Sequence, residues 1–302
     1  MRNEQTMRDL ILTVAQSDQR VRAVYMNGSR ANPRAKHDLF QDYDIVYVVT
    51  DINGMLADRS WYGQFGTPLL TQEPDALDEA VGQPCDPEQN GYTIMSVFTD
   101  GNRIDLHLEP VTVCELTYGS HSQTVPLLDK DGILPQLPAA SDKDRWVQRP
   151  SAELFYHHTN DFWWVAPYVA KGLWRNELLY ANAMLGDVLR PHLLDMCDWL
   201  VGSDADWQIS TGKLHKDLVH LLPEELWVPL TKTFANGDNE ATWQALSTTM
   251  ELFATVAQLV AQRLNFDYQL SEEQASRQYI AAIRDLPAGA TTMKLKWGVR
   301  TK

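Results

Sequence analysis

Cysteine is scarce in this chain: Cys85, Cys114 and Cys197 are odd in number, far apart, and form no Cys-x-x-Cys pair. That spacing argues against a disulfide framework and against a zinc site, and it fits a reducing compartment. Long apolar runs are missing too, since none approaches the roughly 20 residues needed to cross a bilayer. The start, Met1-Arg2-Asn3-Glu4-Gln5, lacks the apolar core of a signal peptide, so a cytoplasmic protein with no membrane partner is expected. Basic residues are the third shortage, 26 Lys and Arg against 40 Asp and Glu, which leaves a net charge of −14. Such a field repels nucleic acid and attracts polycations.

What is present suffices for two packed domains, with 302 residues of which 44% are hydrophobic and 10% aromatic. Met7, Leu10, Ile11, Val14 and Ala15 recur at helical spacing and predict an amphipathic helix ending near Ser17-Asp18. Val21 to Asn27 reads as a strand, and the β-branched run Tyr43 to Val49 as a core strand. Tyr92 to Thr99 and Arg103 to Leu108 flank Asp100-Gly101, a hairpin turn signal. Between these pairs, Gln72 to Asn90 is rich in Pro, Gly, Asp and Glu and is expected to be an irregular surface excursion. From about Ser151 the texture becomes helical, with Leu154, Phe155, His158, Phe162, Val165, Ala166 and Val169 in period and further helical stretches at Leu178 to Leu200 and Ala241 to Leu264. Asp129 to Pro150, with three prolines among charged residues, is the expected linker. The expected class is therefore α/β (α+β): a mixed sheet flanked by helices over residues 1–140, then a helical bundle over 151–302.

The carboxylates carry the chemistry. Asp42 and Asp44 stand two apart at the start of a strand, so they share a face and can hold one or two hard divalent cations. Asp105, inside Ile104-Asp105-Leu106, brings a third carboxylate to the same sheet. Gly28-Ser29 ends the preceding strand, where a glycine lets backbone approach phosphate and a serine hydroxyl adds a donor. Nucleotidyl transfer needs such parts: metal ions that bind a triphosphate and a cradle that orients the in-line attack.

This arrangement resembles the nucleotidyltransferase superfamily, in Asn27-Gly28-Ser29, Asp42-Tyr43-Asp44-Ile45 and Ile104-Asp105-Leu106. Within it, Met26 to Pro33, Phe40 to Tyr47, Asp100 to Leu106 and Trp164 to Arg175 look like the aminoglycoside 6-adenylyltransferases. The resemblance implies an α/β catalytic domain over residues 1–140 and a helical substrate- and nucleotide-binding domain over 151–302. It further implies Mg²⁺-dependent transfer of AMP from ATP to the 6-hydroxyl of streptomycin. Asp42, Asp44 and Asp105 would then be metal ligands, with Asp105 a ligand, a general base, or both. Two other readings stay open, a different acceptor (protein, nucleic acid or another antibiotic) and a nucleotide-binding module without turnover.

Further residues are candidates for binding. Gly28, Ser29, Arg30, Lys171 and Lys213 are candidates to approach the phosphates, although Ser210-Thr211-Gly212-Lys213-Leu214 lacks the full P-loop pattern. Arg30 has the alternative task of bracing the turn. Streptidine carries guanidinium groups that pair with carboxylates, which makes Asp161 and Glu177 candidates unless they simply face solvent. Trp163, Trp164 and Trp174 are candidates to stack on guanidinium or adenine, though their helical spacing favours core positions. His157 and His158 point about 100° apart on a helix and are not expected to grip one metal together.

Overall fold

A computed structural model describes residues 1–83 and 85–295 and divides the chain into two compact units, Met1–Asp144 and Arg145–Lys302. Residues 296–302, the end of the expected helical domain, lie outside the described residues, as does Pro84 within the expected excursion.

The first unit runs α1 (Glu4–Ser17), β1 (Val21–Asn27), β2 (Tyr43–Val49), α2 (Ile52–Ala57), β3 (Pro68–Gln72), α3 (Pro74–Ala80), α4 (Pro87–Asn90), β4 (Tyr92–Phe98), β5 (Arg103–Pro110), α5 (Val111–Thr117) and β6 (Thr124–Asp129). Asn3 starts α1 by accepting a hydrogen bond from the Thr6 amide at 2.9 Å, which satisfies one otherwise orphaned helix donor. The strands form one sheet in the order β3-β4-β5-β2-β1-β6. β2 and β5 are parallel, and the other neighbouring pairs are antiparallel.

Alternation along β2 explains why its sequence is nearly all apolar. Tyr43, Ile45, Tyr47 and Val49 enter one core with Met7, Ile11 and Val14 of α1 and with Phe65. Val46 and Val48 enter a second core on the opposite face, with Tyr25, Cys114 and Tyr118. Both faces of this central strand are thus covered, the condition that produces continuous apolar runs. Asp44 belongs to the Val46 and Val48 face by the same alternation, at the end of the strand.

The excursion expected to be irregular differs from expectation. It holds two short helices, α3 and α4, each begun by a proline in its first turn, with Asp86 capping the Glu88 amide at 3.1 Å. Neither helix buries a side chain, so neither leaves an apolar period in the sequence.

The second unit runs α6 (Ala152–Trp174), α7 (Leu178–Ala183), a π-helical segment (Met184–Leu189), α8 (Arg190–Asp204), α9 (Leu218–Leu221), α10 (Glu224–Thr231), α11 (Asn239–Leu264) and α12 (Leu270–Arg284). Ser151 and Asp238 cap α6 and α11, and Asn265 ends α11 in the left-handed conformation. Phe162 of α6 stacks on Phe253 of α11 with centroids 3.5 Å apart, inside a core that also takes Leu193, Met196, Val256 and Ile280. No helix among the described residues is long and apolar enough to cross a membrane.

Candidate active site

Register brings the acidic residues together. Asn27 of β1 lies opposite Asp44 of β2, and Asp44 lies opposite Asp105 of β5. Three adjacent strands therefore present these side chains in a row on one face. Asp42 sits just before β2 and not within it. Asp105 is 17% exposed and Asp42 35%, so the carboxylates are half-sheltered but accessible.

Arg103 completes the cluster. Its Nε and Nη2 donate to Oδ1 and Oδ2 of Asp105, both at 2.8 Å, and its Nη1 stands 3.5 Å from Asp42 Oδ2. Burial raises the pKa of Asp42; Arg103 opposes that shift, Asp105 adds to it, and Arg30 opposes it. Like charges so placed call for a cation. Carboxylates are hard donors of the kind that suits Mg²⁺, and here the Arg103 guanidinium holds positive charge between Asp42 and Asp105. Asp42, Asp44 and Asp105 are not among the groups of described residues that bring three potential ligand atoms within 4.8 Å of one another.

The turn after β1 is shaped around this cluster. Gly28 has φ +78°, and a β-carbon at this position would overlap Asp44 Oδ2 and come 2.9 Å from Asp44 Cγ. The Gly28 amide donates to the Gln123 carbonyl at 3.1 Å, and the Gly28 and Ser29 carbonyls accept from the Ala31 and Asn32 amides. Arg30 is turned to bracing: its side chain is 8% exposed and donates to the Gln41 carbonyl at 2.8 Å and the Asp42 carbonyl at 3.1 Å. The guanidinium also lies 3.9 Å from the centre of the Tyr43 ring and 3.5 Å from Glu4. Arg30 thereby fixes the backbone that carries Asp42.

Within the helical unit, the candidate residues have separate tasks. Lys171 of α6 lies over the rings of Tyr168 and Tyr279, at 5.0 and 5.2 Å. Lys213 is exposed in a short 3-10 turn, Lys213–His215. Glu177 precedes α7 and stands 3.9 Å from Arg175. The tryptophans divide: Trp163 is buried and donates to the Tyr268 hydroxyl at 3.0 Å, Trp174 donates to the Leu286 carbonyl at 3.1 Å, and Trp164 is 69% exposed.

A polar network in this unit lies beyond the sequence expectations. Asp161 of α6 pairs with His192 Nε2 at 3.0 Å, and His192 Nδ1 meets His158 Nδ1 at 3.1 Å. Asp195 lies 3.5 Å from His158, and His215 Nδ1 bonds Asp198 at 2.9 Å. Two nitrogens 3.1 Å apart cannot both carry protons, which agrees with the His158 pKa: burial, then His192 and His157, push it down to about 4. Asp195, Asp198 and His215 bring one potential ligand atom each within 4.8 Å of one another. The spacing His192, Asp195, Asp198 places three polar groups on one side of α8, but nothing in it reports their partners on α6. His157 is exposed and meets the network through an edge contact with the His158 ring.

Comparisons with known proteins identify the family. The family model described as streptomycin adenylyltransferase matches residues 1–283. An aminoglycoside 6-adenylyltransferase of Campylobacter jejuni is 34% identical over 282 residues, covering 93% of this chain and 96% of that protein. Another, of Bacillus subtilis (strain 168), is 35% identical over 270 residues, covering 89% and 93%. The crystal structure of an aminoglycoside 6-adenyltransferase from Bacillus subtilis aligns over 95% of this chain and 100% of its own, with 30% identity and a TM-score of 0.47. The chain belongs to the streptomycin adenylyltransferase family and is a nucleotidyltransferase.

Proposed function

We propose that this enzyme transfers AMP from ATP to a hydroxyl of an aminoglycoside, the 6-hydroxyl of streptomycin, at the carboxylates of β2 and β5. The observation that carries the reading is the convergence of Asp44 and Asp105 in register, with Asp42 beside them and Arg103 between two of the three. Asp42, Asp44 and Asp105 would hold Mg²⁺, which when bound neutralises triphosphate charge and favours departure of pyrophosphate. Gly28, by lacking a side chain, leaves the Asp44 carboxylate its place. Arg30 holds the Gln41–Asp42 backbone still, so Asp42 keeps its aim. In the transfer, the acceptor oxygen forms a bond to the α-phosphorus as the bond to pyrophosphate breaks. The hydroxyl proton passes to a carboxylate of the cluster, with Asp105 in the general-base role.

The acceptor class rests on the relatives, both named aminoglycoside 6-adenylyltransferase, and on the −14 charge, which attracts a polycationic substrate. The test is AMP transfer by purified protein with ATP, Mg²⁺ and streptomycin, beside kanamycin, spectinomycin and no acceptor, with product masses measured. Streptomycin heavier by one AMP is expected, and Asp44→Asn should abolish the product while leaving the circular dichroism spectrum intact. Pyrophosphate release with another acceptor alone would refute the streptomycin assignment, and full turnover by Asp44→Asn would refute the metal assignment.

A further inference from the structure

We infer that Arg103 is a built-in counter-cation of the carboxylate cluster, a positioning residue that competes with the divalent ion and gives way to it. The inference rests on the reading of Asp42, Asp44 and Asp105 as metal ligands. Its evidence is geometric. Arg103 and Asp105 occupy alternate positions of β5, so their side chains share a face. The guanidinium fork occupies both oxygens of Asp105 at 2.8 Å and reaches Asp42 at 3.5 Å, leaning on Met95 Sδ at 4.0 Å. With its side chain 41% exposed, it can swing toward solvent without disturbing the sheet.

The electrostatics then set an order of events. Without a metal, Arg103 offsets repulsion between Asp42 and Asp105 and keeps both carboxylates aimed at one point. A divalent ion competes with the bidentate guanidinium for Asp105, because the fork already takes one lone pair of each oxygen and the two cations repel. Metal alone therefore binds against the guanidinium. Metal accompanied by a triphosphate binds more readily, since the displaced guanidinium finds phosphate oxygens as its new partners. The two ligands are thus coupled through one side chain.

The experiment is Mn²⁺ binding to the full chain without nucleotide, followed by electron paramagnetic resonance, in wild type, Arg103→Gln, Arg103→Lys and Asp44→Asn. Arg103→Gln should bind Mn²⁺ roughly ten-fold more tightly than wild type, Arg103→Lys, which keeps the charge but loses the fork, should fall between the two, and Asp44→Asn should bind weakly. In the same variants, thermal stability in EDTA should fall for Arg103→Gln and recover with Mn²⁺. A second readout keeps the idea testable if Arg103→Gln folds poorly: in ¹⁵N-arginine-labelled wild type, the Arg103 Nε–H resonance should move toward the free-arginine position as Mg²⁺ is added. Equal Mn²⁺ affinity in wild type and Arg103→Gln, or an Arg103 resonance unmoved at saturating Mg²⁺, overturns the inference and leaves the metal reading standing. Wild-type Mn²⁺ binding that Asp44→Asn does not weaken overturns the metal reading, and this inference with it.

Discussion

Replacing Gly28 by alanine separates backbone cost from carboxylate displacement. An L-residue at φ +78° costs about 1–2 kcal/mol relative to glycine. The added β-carbon also overlaps Asp44 Oδ2 and would lie 2.9 Å from Asp44 Cγ, so the carboxylate has to move by about 1 Å to regain van der Waals distance. Misplacement on that scale lowers catalysis by about 100-fold. Gly132 supplies the control, since it has φ +69° and a β-carbon there meets nothing within 4 Å. Scanning calorimetry should show that Gly28→Ala and Gly132→Ala each lower the melting temperature by about 2–8 °C. AMP transfer should fall about 100-fold in Gly28→Ala and stay near wild type in Gly132→Ala. Equal activity losses in the two variants, or a Gly28→Ala enzyme within about three-fold of wild type, would refute the reasoning, since the overlap with Asp44 would then have no catalytic consequence.

Three other outcomes are expected. The His158 pKa is lowered from 6.5 to about 4, so the unfolded chain takes up a proton between those values that the folded chain refuses. Stability is full above pH 6.5 and declines toward pH 4, by at most roughly 3 kcal/mol, and urea unfolding should show that His158→Gln flattens this slope. His215, whose pKa its bond to Asp198 raises, contributes stability below pH 6.5 that is lost as pH rises, and that opposite slope should survive in the variant. Tyr25→Phe removes the hydroxyl that donates to both oxygens of buried Glu109, at 3.1 and 3.0 Å, and should cost about 1–3 kcal/mol in urea unfolding, partly restored by adding Glu109→Gln. Trp163→Ala should cost about 3–5 kcal/mol and Trp164→Ala under about 0.5 kcal/mol, because the first side chain is 3% exposed and the second 69%.

Much of the sheet was legible because its strands are short, β-branched and bounded by turn chemistry. Val21–Asn27 and Tyr43–Val49 stand where apolar runs meet polar stretches, and Asp100-Gly101 marks the hairpin between β4 and β5. The edge strands β3 and β6 were not, since all five residues of β3 are exposed and β6 contains Pro126, so neither alternates. The carboxylates Asp42, Asp44 and Asp105 could be named from sequence, but not the alignment of Asp44 opposite Asp105, which depends on which strands become parallel neighbours. Arg103 escaped notice because its role depends on where a guanidinium points. The Asp161, His192 and His158 network joins α6 to α8 across more than 30 positions, and no local pattern reports such pairing. Adjacent Trp163 and Trp164 share one composition and one helix, yet only their turn about the axis tells a core residue from a surface one.

The row formed by Asp44 and Asp105 also determines where this chain tolerates a change of length. One residue inserted between Arg103 and Asp105, or between Tyr43 and Asp44, would turn a carboxylate toward the face occupied by Ile45, Ile104 and Leu106. The connection between α3 and α4 obeys no such parity, since neither helix buries a side chain. A peptide tag or reporter spliced between α3 and α4 should leave the row intact, making this stretch the entry point for labels and the β2–β5 pair the place where a single-residue indel abolishes the enzyme.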